Sequence, residues 1–328
     1  MKKIYLTILI MTTSMASFSQ SRPLIGQYFQ NLPAFAPALT GANDFLDLRL
    51  SMRQQWAGFD GGPQTYYLSG YGILKGNTAD QYRYRSLRLG APQSNDIKMQ
   101  LRHGVGGYIL SDQVGPFKQL DVKLNYAVHV PVFHRTFLSF GVSAGLANDK
   151  VDISDVSVKN PIDNTYQSYL QDGTSNTYFN LSGGLALNSD RYYISYSLAP
   201  LINTFAGGNE GTSIEDESVR HQILLGGRLT ISQDVELLPN AFLRIDNTMD
   251  PLFDAGLRAR YQQKYWVGIS YRNSETLIGM LGLVVNDLWK ISYSYEYGMG
   301  DFNTYNNGTH EIVLGVQLFN YNRYTSMW

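Results

Sequence analysis

The chain has no cysteine. That single absence removes disulfides, thiolate metal sites, thiol nucleophiles and a lipidated N-terminal cysteine. Charge is scarce and balanced: 16% of the 328 residues are charged, 26 basic against 27 acidic, for a formal net charge of -1. No global field draws such a protein to nucleic acid or anionic lipid, so no nucleic-acid partner is expected. Beyond residue 20 no apolar run reaches the ~18 residues of a helical membrane span. Crossing a bilayer by strands is not excluded by this.

What the chain does have is 24 Tyr and 31 Gly, a mixture that suits strands and turns better than helices. A mean hydropathy of -0.21 is compatible with a soluble protein. It is equally compatible with a membrane β-barrel, whose inward polar residues offset the outward apolar ones in any average. At the N-terminus, Lys2 and Lys3, the apolar stretch Ile4 to Met15 and the small-x-small triplet Ser17-Phe18-Ser19 read as a secretory signal peptide over 1–19. The mature chain is expected to begin near Gln20.

Residues 20–44 carry Pro23, Pro33 and Pro37, which oppose a long helix or a central strand, and are expected to form an irregular periplasmic lead-in. A two-residue period then begins. Leu46, Leu48, Leu50, Met52 and Trp56 share one parity, and Asp47, Arg49, Ser51 and Arg53 the other. The same alternation recurs along the chain and predicts strands near 45–56, 64–74, 101–111, 117–130, 134–147, 176–188 and 190–201. Further strands are predicted near 218–231, 235–247, 252–262, 264–273, 275–285, 288–298 and 309–319. Fourteen antiparallel strands over 45–320 make an all-β transmembrane outer-membrane β-barrel, with a C-terminal extension at 321–328.

Loop lengths test this reading, because such barrels carry short periplasmic turns and longer outside loops. The tight connections 188–190 and 262–264 fall on one side, and the long ones at 148–175, 202–217 and 298–309 on the other. Lys75 to Gln100 breaks the rule, being long yet periplasmic by count. A soluble β-sandwich or a two-domain secreted β protein would also alternate, but would not be expected to sort its long loops to one end.

Arg53 to Thr65 spans the first predicted hairpin. Gly58, Gly61 and Gly62 supply the conformational freedom that a tight reversal needs, and Pro63 stiffens the return. Trp56, Phe59, Tyr66 and Tyr67 crowd one level, as in the aromatic belt where hydrocarbon meets water. The pattern R-x-Q-W-x-G-F-x-G-x-P-x-T, carried by Arg53, Gln55, Trp56, Gly58, Phe59, Gly61, Pro63 and Thr65 with Asp60 inside it, resembles the first-hairpin signature of the PorP/SprF family of Bacteroidetes outer-membrane proteins. Upstream, Asn31-Leu32-Pro33 and Phe35 to Gly41 resemble that family's lead-in, with Ala36 where Asn is usual. Downstream, Gly104 to Gly107 followed by Asp112, Gly115 and Pro116 resemble its third-strand pattern, and Tyr126 to Pro131, Leu138 to Gly145 and His310 to Ile312 also fit.

The resemblance implies a non-enzymatic outer-membrane component of the type IX secretion system and its gliding-motility branch. It implies as partners a secreted adhesin-type cargo and other secretion components, the barrel itself sitting in outer-membrane lipid. An enzyme would need a positioned acid, base or nucleophile, whereas the five histidines are scattered and no G-x-S-x-G, H-E-x-x-H or P-loop spacing occurs. No catalytic residue, cofactor or metal site is expected.

Lumen parity collects Arg49, Arg53, Lys123, His129, Arg191, Arg244, Arg258, Arg260, Arg272 and Lys290 with Asp47, Asp121, Asp246, Asp254 and Glu296. Such a set suits a self-paired polar plug. A porin or solute transporter with an open water path is the alternative. Tyr166, Tyr169, Phe205 and Tyr305 are the candidate cargo contacts in the outside loops, because aromatic residues dominate binding hot spots.

Overall fold

The computed structural model describes residues 25–74, 101–133, 136–152, 167, 174–208, 219–246, 250–286, 288–300 and 304–320. Its strands are β1 (Leu46–Gln54), β2 (Gln64–Leu74), β3 (Arg102–Val114), β4 (Phe117–Phe133), β5 (Thr136–Val151), β6 (Thr174–Ser189), β7 (Tyr192–Gly208) and β8 (Arg220–Gly227). They continue with β9 (Leu229–Thr230), β10 (Val235–Ile245), β11 (Leu252–Tyr261), β12 (Tyr265–Arg272), β13 (Thr276–Val284), β14 (Trp289–Gly298) and β15 (Thr309–Leu318). β8 and β9 both pair with β10, on either side of Arg228. They form one interrupted stave, so fifteen segments build the expected fourteen-strand barrel. The sheet closes where β1 pairs antiparallel with β15, from Leu46 opposite Leu318 to Gln54 opposite His310.

The two-residue period sets the inversion that defines the wall. Asp47, Arg49, Ser51 and Arg53 of β1 are buried in the interior, while Leu50 and Met52 between them are exposed outward. β4 repeats the pattern, with Asp121, Lys123 and Asn125 inside and Leu120, Val122 and Leu124 outside. Apart from the register shifts in β4–β5 and β6–β7 and the break at Arg228, neighbouring strands are joined by continuous antiparallel ladders, as hydrocarbon surroundings demand. The outward face also carries Tyr–His pairs that satisfy each other. Tyr126 Oη lies 2.8 Å from His103 Nδ1, and Tyr196–His221 and Tyr293–His310 each close to 2.7 Å.

The wall is not of even height. β4 and β7 have 17 residues and β5 and β6 have 16, whereas β11 to β15 have 8 to 10. At ~3.3 Å per residue a 17-residue strand is about 55 Å long, more than a ~25 Å apolar band needs even at a 45° tilt. Segments expected as loops are therefore wall: β5 runs to Val151, β6 starts at Thr174, and β7 runs to Gly208 through 202–208. The alternation misleads there because the β6–β7 ladder shifts register between Leu181 and Gly183 and again between Thr177 and Tyr178. A bulge resets parity without ending the pairing. The long 75–100 connection lies outside the described residues.

Residues 25–45, the described part of the expected periplasmic lead-in, occupy the barrel interior. Single turns of 3-10 or α-helix at Tyr28–Asn31, Leu32–Phe35 and Pro37–Leu39 fold them compactly. Ile25, Tyr28, Phe29, Leu32, Ala38, Leu39 and Phe45 are all buried. Their apolar surface meets an inward wall that is less polar than the charge pattern suggests: Tyr193, Leu224, Phe242, Ile278 and Met280 pack on one side, and Tyr67, Tyr71 and Tyr108 on the other. Pro33 and Pro37 are tolerated because the segment joins no ladder that would need their missing N–H; its carbonyls are met partly by its own turns and partly by wall side chains.

Leu124 sits mid-strand on the outer face, 73% exposed. Leu124→Arg is expected to destabilise the barrel by about 2–4 kcal/mol, the cost of a cation at the bilayer midplane. Urea unfolding in lipid vesicles measures this; an unchanged midpoint would place that face in water.

Candidate functional site

The site begins with register. Arg53 of β1 stands opposite Glu311 of β15 on one side and Thr65 of β2 on the other, and Thr65 stands opposite Asp112 of β3. Residues far apart in sequence thus form one inward row. Thr65 Oγ1 donates to Asp112 Oδ1 at 2.5 Å, and Arg53 bridges Glu296 of β14 at 3.0 Å with Glu311 at 4.0 Å. Glu296 also takes Arg272 at 3.2 Å, and Arg272 reaches Asp254 at 3.2 Å. Five staves are joined by one buried chain of charges, each tolerable there only because its neighbours neutralise it.

The same row holds the plug. Glu311 Oε2 accepts the amides of Gly26 at 2.8 Å and Gln27 at 3.2 Å. Lower down, Asn240 donates to Tyr28 Oη at 2.6 Å, Asn125 to the Pro33 carbonyl at 2.8 Å and Ser197 to the Phe35 carbonyl at 2.6 Å. His129 Nε2 meets the Thr40 carbonyl at 2.8 Å, with its Nδ1 2.7 Å from Ser139 Oγ. Arg49 is fixed by Asp47 at 2.8 Å and bonds Gln30 of the plug. Where the plug lies closest, the wall has no side chain: a Cβ on Gly104 would overlap Thr40, and one on Gly141 would overlap the backbone of Pro37 and Ala38.

At the end of the barrel bearing the 55–63 hairpin, separate connections are joined by main-chain bonds. Ala57 N–H donates to the Gly308 carbonyl and Asn307 N–H to the Ala57 carbonyl, both at 2.8 Å. On the other flank Gly115 N–H donates to the Gly61 carbonyl at 3.3 Å, and Asp152 N–H to the Pro116 carbonyl at 2.8 Å. The rim from the β14–β15 connection to the start of the β5–β6 connection is one bonded arc. Gly58 at φ 86° and Gly61 at φ 76° adopt the left-handed backbone that this cap requires.

Within the arc Gln55 N–H closes on the Pro63 carbonyl at 2.8 Å, and Phe59 and Asp60 stand exposed at the tip. Trp56 does not continue β1. The strand ends at Gln54, and Trp56 turns to φ 51° with its ring edge-on to Phe59 at 6.3 Å. Of the four aromatics expected in one belt, Tyr66 faces outward while Tyr67 is buried in the lumen. Asp112 of the third-strand motif lies within β3, and Gly115 and Pro116 form the connection after it.

The expected cargo contacts do not form one group. Phe205 belongs to the β7 wall, edge-on to Tyr178 at 5.9 Å, and Tyr305 is exposed in the β14–β15 connection. Tyr166 and Tyr169 lie outside the described residues. Of the expected lumen charges, Arg191 is instead exposed in the β6–β7 turn, where the strand parity no longer applies. Sequence reasoning missed the plug, its anchor Glu311 and the receiving glycines Gly104 and Gly141. Glu311 was signalled by its parity with Ile312 outward, and the plug by seven buried apolar residues that a periplasmic segment would leave wet. Among the described residues no group of three His, Asp and Glu could hold a metal ion.

A closed fourteen-strand wall, polar inside, apolar outside and filled by its own N-terminal segment, defines a transmembrane β-barrel of the outer-membrane type. The sequence matches the family described as Type IX secretion system membrane protein PorP/SprF over residues 17–316, and the chain belongs to that family. No individually curated protein matches it. Among solved structures it is similar to the outer membrane protein Omp33 of Acinetobacter baumannii, at 9% identity and TM-score 0.45, over 85% of this chain and 99% of that one. A FadL homologue from Pseudomonas aeruginosa aligns at 10% identity and TM-score 0.45, over 87% and 92%. The Pseudomonas putida toluene transporter TodX aligns at 9% identity and TM-score 0.44, over 86% and 92%.

Two outcomes follow from this geometry. Glu296→Ala removes the carboxylate that Arg53 and Arg272 share, leaving Arg53 only Glu311 at 4.0 Å and Arg272 only Asp254 at 3.2 Å, and is expected to cost about 3 kcal/mol, seen as loss of the heat-resistant folded band on electrophoresis at a lower temperature. Gly141→Val should displace the plug at Pro37 and Ala38 and raise ion conductance in planar bilayers above that of the natural protein. Gly279→Val, where a Cβ meets nothing, should not; identical traces from the two variants would show that the plug does not obstruct the lumen.

Proposed function

We propose that the protein is a non-enzymatic component of the type IX secretion system and its gliding branch, supporting secretion or surface anchoring of a large adhesin-type cargo. The outer rim is the cargo side, and the short turns at the opposite end face the periplasmic secretion components. The observation that carries this reading is the bonded arc. Residues of the family motifs, from Arg53 to Thr65 and from Asp112 to Pro116, converge on one edge and fix it by main-chain bonds, leaving Phe59 and Asp60 at its exposed tip. A rigid, preorganised edge loses little entropy on binding.

Two features favour this over an enzyme or a porin. The Ser139–His129 pair, which could suggest a nucleophile and base, is buried, and His129 Nε2 is committed to the plug carbonyl of Thr40. The lumen, which a porin needs as its water path, is occupied by residues 25–45.

A photo-crosslinking residue placed at Phe59 in living cells is expected to capture a large surface protein, whereas one at outward-facing Leu124 captures none. Phe59→Ala combined with Asp60→Ala should abolish cargo retention at normal barrel levels. Unchanged retention, or cargo loss only in step with barrel loss, would overturn the assignment of the tip as a contact.

A further inference from the structure

The tall half of the wall ends in an open edge. β7 is paired on its β6 side as far as Gly208, opposite Asn176, but its ladder with β8 stops at Ala199, opposite Arg220. From Ile202 to Gly208 the β8 side of the strand has no ladder partner among the described residues. At ~3.3 Å per residue this edge is about 23 Å long. β8 and β10 end at Arg220 and Ile245, so the edge rises above their tops. Register places it at the mouth that carries the bonded arc: Asn176 of β6 is close to Thr174, which stands opposite Val151, next to the Asp152 that closes the arc.

An unpaired edge presents a row of N–H and C=O groups to any chain that can pair with it, and natural sheets blunt such edges with charge or Pro. The stretch Ile202-Asn203-Thr204-Phe205-Ala206-Gly207-Gly208 carries neither. Thr204, Phe205 and Ala206 are exposed in succession, whereas the rest of the wall alternates with one face buried. On the lumen face, Asn203 stands opposite Asn180. Asn180 is 1% exposed, yet neither atom of its amide group is hydrogen-bonded, and Asn203 Oδ1 and Ser182 Oγ also lack a partner. A buried polar group left unmet costs about 1–3 kcal/mol, which an arriving donor would recover.

We propose that the open edge of β7 from Ile202 to Gly208 takes up an extended segment of the secreted partner as one further strand of the wall. This rests on the reading of this mouth as the cargo side. Main-chain bonds supply the affinity, and side chains on the two faces of the added strand supply the selectivity. Cross-strand neighbours on one face stand about 5 Å apart, so the segment carries a small polar residue, Ser, Thr or Asn, beside Asn203, and an apolar one beside Ile202 on the other face. Two copies of this chain paired antiparallel through the edge would stand inverted to one another, which a shared membrane forbids. A single incoming strand meets no such constraint.

A photo-crosslinking residue placed at Ile202 in living cells, with mass spectrometry of the crosslinked peptide, tests this. The expected product joins that position to an uncharged, extended segment of the same large surface protein that is captured from Phe59. Adjacent N–H groups of a strand point to opposite edges, so of Thr204→Pro and Phe205→Pro one breaks the β6 ladder and the other removes an N–H from the open edge alone. The variant that keeps the heat-resistant band is expected to retain about tenfold less cargo, the loss of one main-chain bond. Thr204→Ala, which keeps the N–H, should retain cargo as the natural protein does. Capture from Phe59 without capture from Ile202 overturns the edge and leaves the rim reading standing; capture from neither removes both. A crosslink from Ile202 confined to this chain or to a second copy of it, or full retention in the folded proline variant, also overturns the proposal. If neither proline variant folds, the crosslinked peptide decides.

Discussion

A wall clad in hydrocarbon obliges every polar group it encloses to find a partner inside. The dependence runs through Arg53, which is fully enclosed and touches two carboxylates from two other strands. One of those carboxylates, Glu311, turns the same oxygen to the plug amides; the other, Glu296, passes the charge balance on to Arg272 and Asp254. Burying so many ions is costly, and apolar replacements of equal volume could be as stable. What the ions supply is position. A salt-bridged row tolerates one register at the β15–β1 seam, whereas smooth apolar packing would tolerate a slip.

The rim inherits its rigidity from that row. Thr65 and Asp112 lock β2 to β3 one layer beneath the place where Gly61 and Gly115 bond, so the cap is pinned from below as well as from the side. The taller β4–β7 half of the wall stands beside this cap. The result is an asymmetric mouth: a low, bonded arc facing a raised screen of strands.

Strand number, parity and the inverted wall were legible because a sheet with two different solvents on its faces writes its period into the chain. The fourteen staves follow from that period alone, and the break at Arg228 alters only how one stave is counted. Parity failed where geometry departs from strict alternation. At Trp56 the backbone turns left-handed, and beyond Pro200 a bulge resets the count, so Phe205 read as loop. The plug was illegible for a different reason: Ile25 to Phe45 has neither a two-residue nor a sustained helical period, because its partners are scattered over most of the barrel. Nor does any local signal state that Gly104 and Gly141 face Thr40 and Ala38. Those glycines look like strand weaknesses until the segment they receive is in place.

The seam between β1 and β15 also sets a chronology. Gly26 and Glu311 are 285 residues apart in the chain, yet they are bonded to each other. A chain made from its N-terminus must therefore keep its first folded segment waiting until the last strand has been delivered. Only then do the upper anchor of the plug and the final ladder form, and they form together. A barrel that stalls before β15 has neither a closed wall nor a fastened interior, so completeness of the chain and occupancy of the lumen are reported by the same residue.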